Sequence, residues 1–312
     1  MTSAEVAPPP IRAPVRHDLH GVVPLNKPAG MTSFQAVKEV RRALGVKRAG
    51  HAGTLDPTAT GLLPICVGQA TRLVDFFHLQ PKTYHCVVRL GLRSDTLDLE
   101  GTITAGGDAS AIDADAARSA LEAFVGEILQ VPPMHSAVRH EGRRLYELAR
   151  SGEQVEREAR PVTIHSAELV ELRPGAVAEA ELLVVSGKGA YMRVIAADLG
   201  DALGCGGLLS WLERTEYGPL SLSHSVTVEE LCSLEDPAAA MLPPEQAVAF
   251  LTPLHLPPQL AVRVRQGQSV WLAGPAQVRS AGGCRAHDHT GRLIAVGELT
   301  GNLFRPTKVM AY

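Results

Sequence analysis

The chain has 312 residues and carries 30 Lys and Arg against 33 Asp and Glu, a formal net charge of −3. Apolar residues make up 45% of it, enough for a sizeable core, and no apolar run approaches the ~20 residues of a membrane span. The five cysteines are scattered and form no C-x-x-C pair, which argues against a disulfide framework and a zinc site. We therefore expect a cytoplasmic, non-membrane protein of about two domains, with no secretory signal.

The average charge hides an uneven distribution along the chain. Between residues 27 and 93, ten Lys and Arg stand against three acids, and between residues 263 and 312 seven stand against two. A basic face with acidic sides is expected of a protein that contacts phosphates. Solvated charged faces are also common, so the distribution alone leaves both interpretations open.

The first elements are a tail, a strand and a helix. Residues 1–18 are proline-rich and lack apolar periodicity, which predicts a disordered tail. A strand over residues 20–25 is followed by a capping box of Thr32 and Gln35 and a helix that ends at Gly45. Its predicted buried face consists of Phe34, Val37, Val40 and Leu44. Its other side presents Arg41 and Arg42, candidate contacts to a nucleic-acid backbone.

The stretch from residue 50 to 72, GHAGTLDPTATGLLPICVGQATR, holds four glycines, two prolines and one carboxylate, that of Asp56. This density of glycine predicts a shaped loop, and Pro57 disfavours helical backbone at Asp56. No carboxylate is close in sequence, which argues against a paired acid and base. Asp56 is either an Asx-turn residue, as in most Asp-Pro pairs, or a lone carboxylate that serves as nucleophile or base.

The segment GHAGTLDPTATGLLP resembles the catalytic motif of the TruB-type tRNA pseudouridine synthases. The resemblance continues from about residue 21 to 231 and is looser beyond. It implies that Asp56 is the catalytic residue and that His51 fills the space left by a flipped nucleotide. Without it, His51 is an exposed loop histidine.

A strand over residues 62–67 and a helix over residues 70–79 follow the loop. Residues 82–92 then predict a strand with Tyr84, Cys86 and Val88 on one side. By resemblance Tyr84 stacks on the target base, although an ordinary half-buried aromatic is the commoner case. Asp98, in the acidic turn of residues 95–98, matches a family residue near the substrate.

We expect a helix over residues 111–129, and the segment 124–152 resembles an RNA-gripping insertion of the family. His135 departs from the pattern, since a tyrosine is more usual there. The predicted backbone contacts outside the first helix are Arg72, Arg139, Arg143 and Arg144. The last three could equally belong to a solvated helix face.

Two strands, residues 160–172 and 178–186, precede a glycine loop and a helix whose apolar face includes Met192 and Ile195. By resemblance this segment contributes Tyr191 and Arg193 to the active site. An arginine beside Asp56 would keep its carboxylate ionised and oriented. Leu212 matches an apolar residue under the target base, and without the resemblance it is a core leucine.

The C-terminal part predicts a proline-rich linker over residues 243–258 and a small β-barrel over residues 259–312. Its strands are expected at residues 261–265, 269–272, 284–287 and 293–299. His287 and His289 are expected at a hairpin tip rather than in a metal site. By resemblance this unit is a PUA-like RNA-binding domain.

The resemblance implies an α+β protein with a pseudouridine synthase fold, a mixed, mainly antiparallel sheet flanked by helices, in a catalytic domain over residues 19–242. It also implies isomerisation of uridine 55 in the T-arm of tRNA, by base flipping, in a monomer with no cofactor, metal or obligate protein partner. The alternatives are a tRNA-folding protein, a glycosylase that releases free base, and a guide-RNA-dependent relative.

Overall fold

The computed structural model describes residues 16–136, 138–140, 142–153, 155–274 and 283–312, without the side chains of residues 139, 140, 144, 146, 147 and 150. Most of the predicted tail, residues 1–15, and the side chains of Arg139 and Arg144 therefore lie outside the description. None of the described helices has the length and apolar character to cross a bilayer.

The described residues form eighteen strands, with eight α-helices interspersed among them along the chain. The strands are β1 (Gly21–Lys27), β2 (Ala49–His51), β3 (Thr60–Val67), β4 (Lys82–Leu90), β5 (Leu92–Ser94), β6 (Ile103–Ala105), β7 (Gly126–Gln130), β8 (Arg139–His140), β9 (Arg143–Arg144), β10 (Arg160–Arg173), β11 (Ala178–Ser186), β12 (Gly207–Tyr217), β13 (Leu220–Ser221), β14 (Thr252–His255), β15 (Val270–Trp271), β16 (Cys284–His287), β17 (Leu293–Thr300) and β18 (Leu303–Val309). The helices are α1 (Ser33–Leu44), α2 (Val74–His78), α3 (Ala114–Glu122), α4 (Leu145–Arg150), α5 (Met192–Ala202), α6 (Val228–Ser233), α7 (Pro244–Ala247) and α8 (Pro258–Arg265).

A nine-stranded sheet carries the larger unit, in the order β1-β3-β12-β4-β11-β10-β7, with β2 on β3 and β13 on β12. Its pairs are antiparallel except that between β3 and β12. This is the mixed, mainly antiparallel sheet that we predicted. β12 pairs on one side with β3, which follows the glycine-rich loop, and on the other with β4, which carries Tyr84, so β12 links the loop to Tyr84.

The first helix confirms its predicted ends but not the whole of its predicted buried face. Thr32 and Gln35 form the capping box, and Gly45 ends α1 in the left-handed conformation at φ 65°. Phe34 is 62% exposed, however. At 3.6 residues per turn it lies about 120° around the helix from the buried Val40, outside the stripe that faces the core, and Lys38 Nζ lies 4.8 Å from its ring centre.

Three other predicted elements differ from the structure. The helix over residues 111–129 is only α3, because β7 pairs with β10 from Gly126 onward. The helix over residues 70–79 is a 3-10 turn, Gly68–Leu73, followed by the short α2. The strand over residues 261–265 is wrong, because α8 covers it with proline at its N-terminus and Ala261 and Val264 on its buried side.

The C-terminal unit is a five-stranded sheet in the order β14-β16-β17-β18-β15. The expected linker, residues 243–258, carries α7 and β14, and β14 already pairs with β16. A buried cluster joins Val22, Leu62 and Phe77 of the large unit to Val296 and Met310 of the small one. The two units therefore share a packed core at their contact.

Candidate active site

A cavity of about 600 Å³ opens where the glycine-rich loop meets β4, β12 and the start of α5. Six of the seven residues that we predicted for catalysis and substrate binding line it: His51, Asp56, Tyr84, Tyr191, Arg193 and Leu212. The seventh, Asp98, lies behind Arg193. Segments distant in sequence thus converge on one site.

The loop holds Asp56 through its two neighbours. Leu55 donates its N–H to Ser33 Oγ and accepts a hydrogen bond from the same hydroxyl, both at 2.9 Å. The carbonyl of Pro57 accepts from Gly30 N–H at 2.8 Å and from Lys27 Nζ at 3.2 Å. The backbone on either side of the carboxylate is therefore fixed by β1 and by the start of α1.

Arg193 joins the carboxylates of the site. Its side chain is only 5% exposed, and its two terminal nitrogens lie 3.0 Å from Asp56 Oδ2 and 3.4 Å from Asp98 Oδ2. It also donates to the carbonyl of His135 at 2.8 Å. A charge-assisted contact of this kind orients a carboxylate, so Arg193 fixes the direction of Asp56.

Asp98 is buried and held by its own turn. Its Oδ1 accepts hydrogen bonds from Glu100 N–H at 3.0 Å and from Thr96 Oγ1 at 2.5 Å. Leu97, before it, has a φ of 65°, which is uncommon for a residue other than glycine. The contact between Asp98 and Arg193 was not predicted, because nothing local in the sequence indicates it.

The electrostatic environment of Asp56 combines opposing influences. Burial raises the pKa of its carboxyl group, Arg193 opposes the rise, and the negative charge of Asp98 adds to it. The 38% of its side chain that stays exposed borders the cavity. Burial also lowers the pKa of Lys27 to about 8, although nearby Asp56 favours the charged form of that lysine.

Tyr84 and Leu212 lie on neighbouring strands, β4 and β12, that face the cavity. Tyr84 is 8% exposed. Tyr191 occupies the N-cap position of α5, and its backbone is held by Gln130, whose Oε1 accepts the Tyr191 N–H at 3.0 Å. Gln130 escaped the sequence-based predictions, since a glutamine at the end of a short strand gives no signal.

Of the arginines predicted to contact an RNA backbone, the four whose side chains the structure describes (Arg41, Arg42, Arg72 and Arg143) lie outside the cavity lining. Arg41 and Arg42 are exposed on α1, and Arg42 pairs with Glu39. Arg72 donates to the carbonyl of Val309 at 2.8 Å, so it connects the two units. Arg143 pairs with Glu153, and all these RNA contacts stay predictions. Within the described residues, no group of three or more His, Cys, Asp or Glu side chains could hold a metal ion.

The family of the chain follows from comparison with known proteins. The TruB family pseudouridylate synthase (N terminal domain) profile matches residues 41–192. A tRNA pseudouridine synthase B of Burkholderia pseudomallei is 41% identical over 300 residues, which cover 95% of this chain and 98% of the relative. This chain belongs to the TruB family.

Other TruB relatives agree. The tRNA pseudouridine synthase B of Ralstonia pickettii is 41% identical over 98% of this chain and 99% of its own length. That of Symbiobacterium thermophilum is 46% identical over 80% of this chain and 83% of its own length. The chain is thus a pseudouridine synthase.

The fold agrees with solved structures. A chain of a Cbf5-Nop10-Gar1 complex superposes with a TM-score of 0.72 at 24% identity, covering 93% of this chain and 85% of that one. A chain of an H/ACA RNP bound to a substrate RNA gives 0.71 at 23% identity, over 94% of this chain and 85% of that one. The pseudouridine synthase fold with a small C-terminal β-domain is confirmed.

Proposed function

We propose that this TruB-family chain isomerises the uridine at position 55 in the T-arm of tRNA to pseudouridine. The observation that carries the proposal is the carboxylate of Asp56, held 3.0 Å from Arg193 at the edge of a cavity of about 600 Å³. The names of the curated relatives support tRNA as the substrate. The position in the T-arm rests on the resemblance of the catalytic motif, and that stem-loop would be recognised by its shape.

The charge of the cavity suits an RNA substrate. Among the described residues, its lining contains five Lys and Arg side chains against the single carboxylate of Asp56. The cationic lining residues are Lys82, Arg160, Lys188, Arg193 and Arg214. The exposed members of this set, Arg160 and Lys188, can attract the phosphates that flank a target nucleotide, whereas Lys82, Arg193 and Arg214 are buried.

The reaction needs a base removed from its stack and kept in place. In the isomerisation the bond from N1 to C1′ breaks, the uracil turns, and a bond from C5 to C1′ forms. The C5 proton is lost and N1 gains a proton, so atoms balance without a cofactor. Flipping the nucleotide costs a few kcal/mol, and Tyr84 and Leu212 would offset part of that cost by contact with the base.

Each site residue has a proposed role. Asp56 acts as nucleophile on the ribose or the base, or abstracts a proton, and Arg193 orients it. Asp98 holds Arg193 from the other side. Tyr191 and His51 both line the cavity, and His51 fills the space that the flipped nucleotide leaves.

We further propose that the domains divide the work. Residues 19–242 carry the chemistry, the insertion 124–152 grips the RNA, and residues 259–312 add RNA contacts as a PUA-like domain. The enzyme would act in the cytoplasm as a monomer, without guide RNA or partner protein. The 41% identity to a relative named tRNA pseudouridine synthase B, against 24% to the chain of a Cbf5-Nop10-Gar1 complex, supports this choice.

The test is incubation of the purified protein with an unmodified tRNA transcript, followed by carbodiimide treatment and primer extension. We expect one stop, at the T-arm uridine, that an Asp56→Asn variant abolishes. An Asp108→Asn variant, which changes an exposed carboxylate outside the cavity, should behave as wild type. Binding without a stop would favour a tRNA-folding protein, and released uracil would indicate a glycosylase.

A further inference from the structure

Arg214 lies on β12 where this strand pairs with both β3 and β4. Neither the sequence analysis nor the family match assigns this residue a role. On one side of β12 it is paired with Tyr84 of β4, and on the other with Gly61 of β3. The strand that offers the stacking tyrosine and the strand that follows the Asp56 loop therefore meet at this residue.

The side chain of Arg214 is turned onto the loop. Its Nε donates to the carbonyl of Leu62 at 2.7 Å, and its Nη2 donates to the carbonyl of Gly53 at 3.2 Å. These carbonyls lie on either side of Asp56, one before and one after it. One guanidinium thus joins the two ends of the loop.

Tyr217 adds a second tie to the same loop. Its hydroxyl donates to the carbonyl of Ala52 at 2.5 Å, and the guanidinium carbon of Arg214 lies 4.9 Å from its ring centre. Both side chains are almost completely buried. The two residues form one packed unit beneath the loop.

Burial of this arginine is costly, which points to a purpose beyond packing. Within the described part of the chain Arg214 forms no ion pair, so backbone carbonyls and an aromatic ring are its partners. A buried charge without a counterion is less favourable than an apolar side chain of similar volume. An apolar residue, however, could not donate hydrogen bonds to two carbonyls of the loop, as Arg214 does.

The backbone around Arg214 leaves little freedom at the end of the loop. Gly61 has a φ of 98°, and a Cβ built on it would lie 2.4 Å from the carbonyl oxygen of Arg214. The end of the loop at Gly61 is therefore in direct contact with the backbone of β12. Because the two backbones are in contact, we expect a shift of Arg214 to displace the loop.

We infer that Arg214 is a positioning residue, which sets the place of Asp56 against Tyr84 and Arg193 by tying the carbonyls of Gly53 and Leu62. The inference rests on the proposed function, since it concerns the same isomerisation. Arg214 is not among the groups that shift the pKa of Asp56. It therefore acts through geometry, and its loss should lower the rate without moving the pH profile.

The experiment compares Arg214→Met with Arg285→Met. Arg285 makes the same kind of contacts in the C-terminal unit, with hydrogen bonds to the carbonyls of Leu251 at 3.1 Å and Glu245 at 2.7 Å. For Arg214→Met we expect kcat to fall by roughly 30-fold or more, since a displacement of about 1 Å can cost about 100-fold. Its KM for tRNA should stay unchanged, and so should the pH at which activity falls on the acid side of the pH profile (the acid limb). Arg285→Met should keep kcat within about twofold.

A second measurement does not depend on RNA. Hydrogen exchange of the peptide that covers residues 50–66 should be faster in Arg214→Met than in wild type, and unchanged in Arg285→Met. If wild type makes no pseudouridine, the proposed function fails, and the exchange result still decides whether Arg214 holds the loop.

Two milder variants guard against an Arg214→Met protein that does not fold. Tyr217→Phe removes only the bond to Ala52, and Arg214→Lys keeps the charge but cannot reach both carbonyls. Each should lower kcat by roughly 3- to 10-fold at unchanged KM, the size expected when one hydrogen bond of about 1 kcal/mol is lost. Wild-type kcat in both, or equal losses in Arg214→Met and Arg285→Met, would overturn the inference.

Discussion

Arg193→Gln provides the most direct test of how the site keeps its carboxylate charged. The substitution removes the cation 3.0 Å from Asp56 and keeps a side chain that can donate a hydrogen bond. In the proposed mechanism Asp56 acts in its ionised form, so activity should fall as the pH drops through its pKa. Burial already raises that pKa and Arg193 opposes the rise, so the variant should lose activity at a higher pH than wild type.

The size of the effect follows from distance and exposure. An opposite charge within about 4–6 Å lowers a carboxyl pKa by about 1–3 units. Since 38% of the Asp56 side chain is exposed, solvent screens part of the attraction, so we expect the pKa of Asp56 to rise in Arg193→Gln, but by less than it would in a fully buried pair. Asp98→Asn should move the acid limb of the pH profile to lower pH, because it removes a negative charge that raises the pKa of Asp56.

The assay is single-turnover release of tritium from C5-labelled uridine in tRNA, at saturating enzyme across the acid and neutral range. Arg118→Gln serves as control, because that exposed arginine on α3 pairs with Asp115 outside the cavity. Coincident acid limbs for Arg193→Gln and wild type would refute this account of the site. Shifts of equal sign in Arg193→Gln and Asp98→Asn would refute the assigned charges.

Three further predictions concern stability, measured as the free energy of unfolding in urea. Gly61→Ala should destabilise by more than about 3 kcal/mol or prevent folding, because its Cβ would meet the backbone of β12, whereas Gly50→Ala meets no atom within 4 Å and should be tolerated. Ser33→Ala should cost about 1–3 kcal/mol, since it leaves the buried N–H of Leu55 without its acceptor, and unchanged stability would contradict that contact. Phe34→Ser, at an exposed site, should change stability by less than about 0.5 kcal/mol.

Local sequence determined much of the fold. The capping box and Gly45 define α1, and the alternation around Tyr84 produces a strand with buried and half-exposed faces. These signals are readable because they depend on backbone sterics and on neighbours within a turn or a strand. The same local reading failed at residues 261–265, where alternating apolar residues suggested a strand but proline at the N-terminus begins a helix.

The site itself shows where sequence reasoning stops. The catalytic motif singled out Asp56, and resemblance added Tyr84, Arg193 and Leu212, which the structure brings to one cavity. The bridge from Arg193 to Asp98 and the grip of Arg214 on the loop had no signal in the sequence. Arg72, one of several exposed arginines in the sequence, lies at the contact between the two units.

The physical reason is the difference between local and long-range information. Sequence alone determined where the chain turns, which residues can be buried, and which carboxylate stands in a loop shaped by glycine. Only the tertiary structure decided that β12 lies between β3 and β4. That order brings a buried arginine under the loop, which no pattern of neighbouring residues could specify.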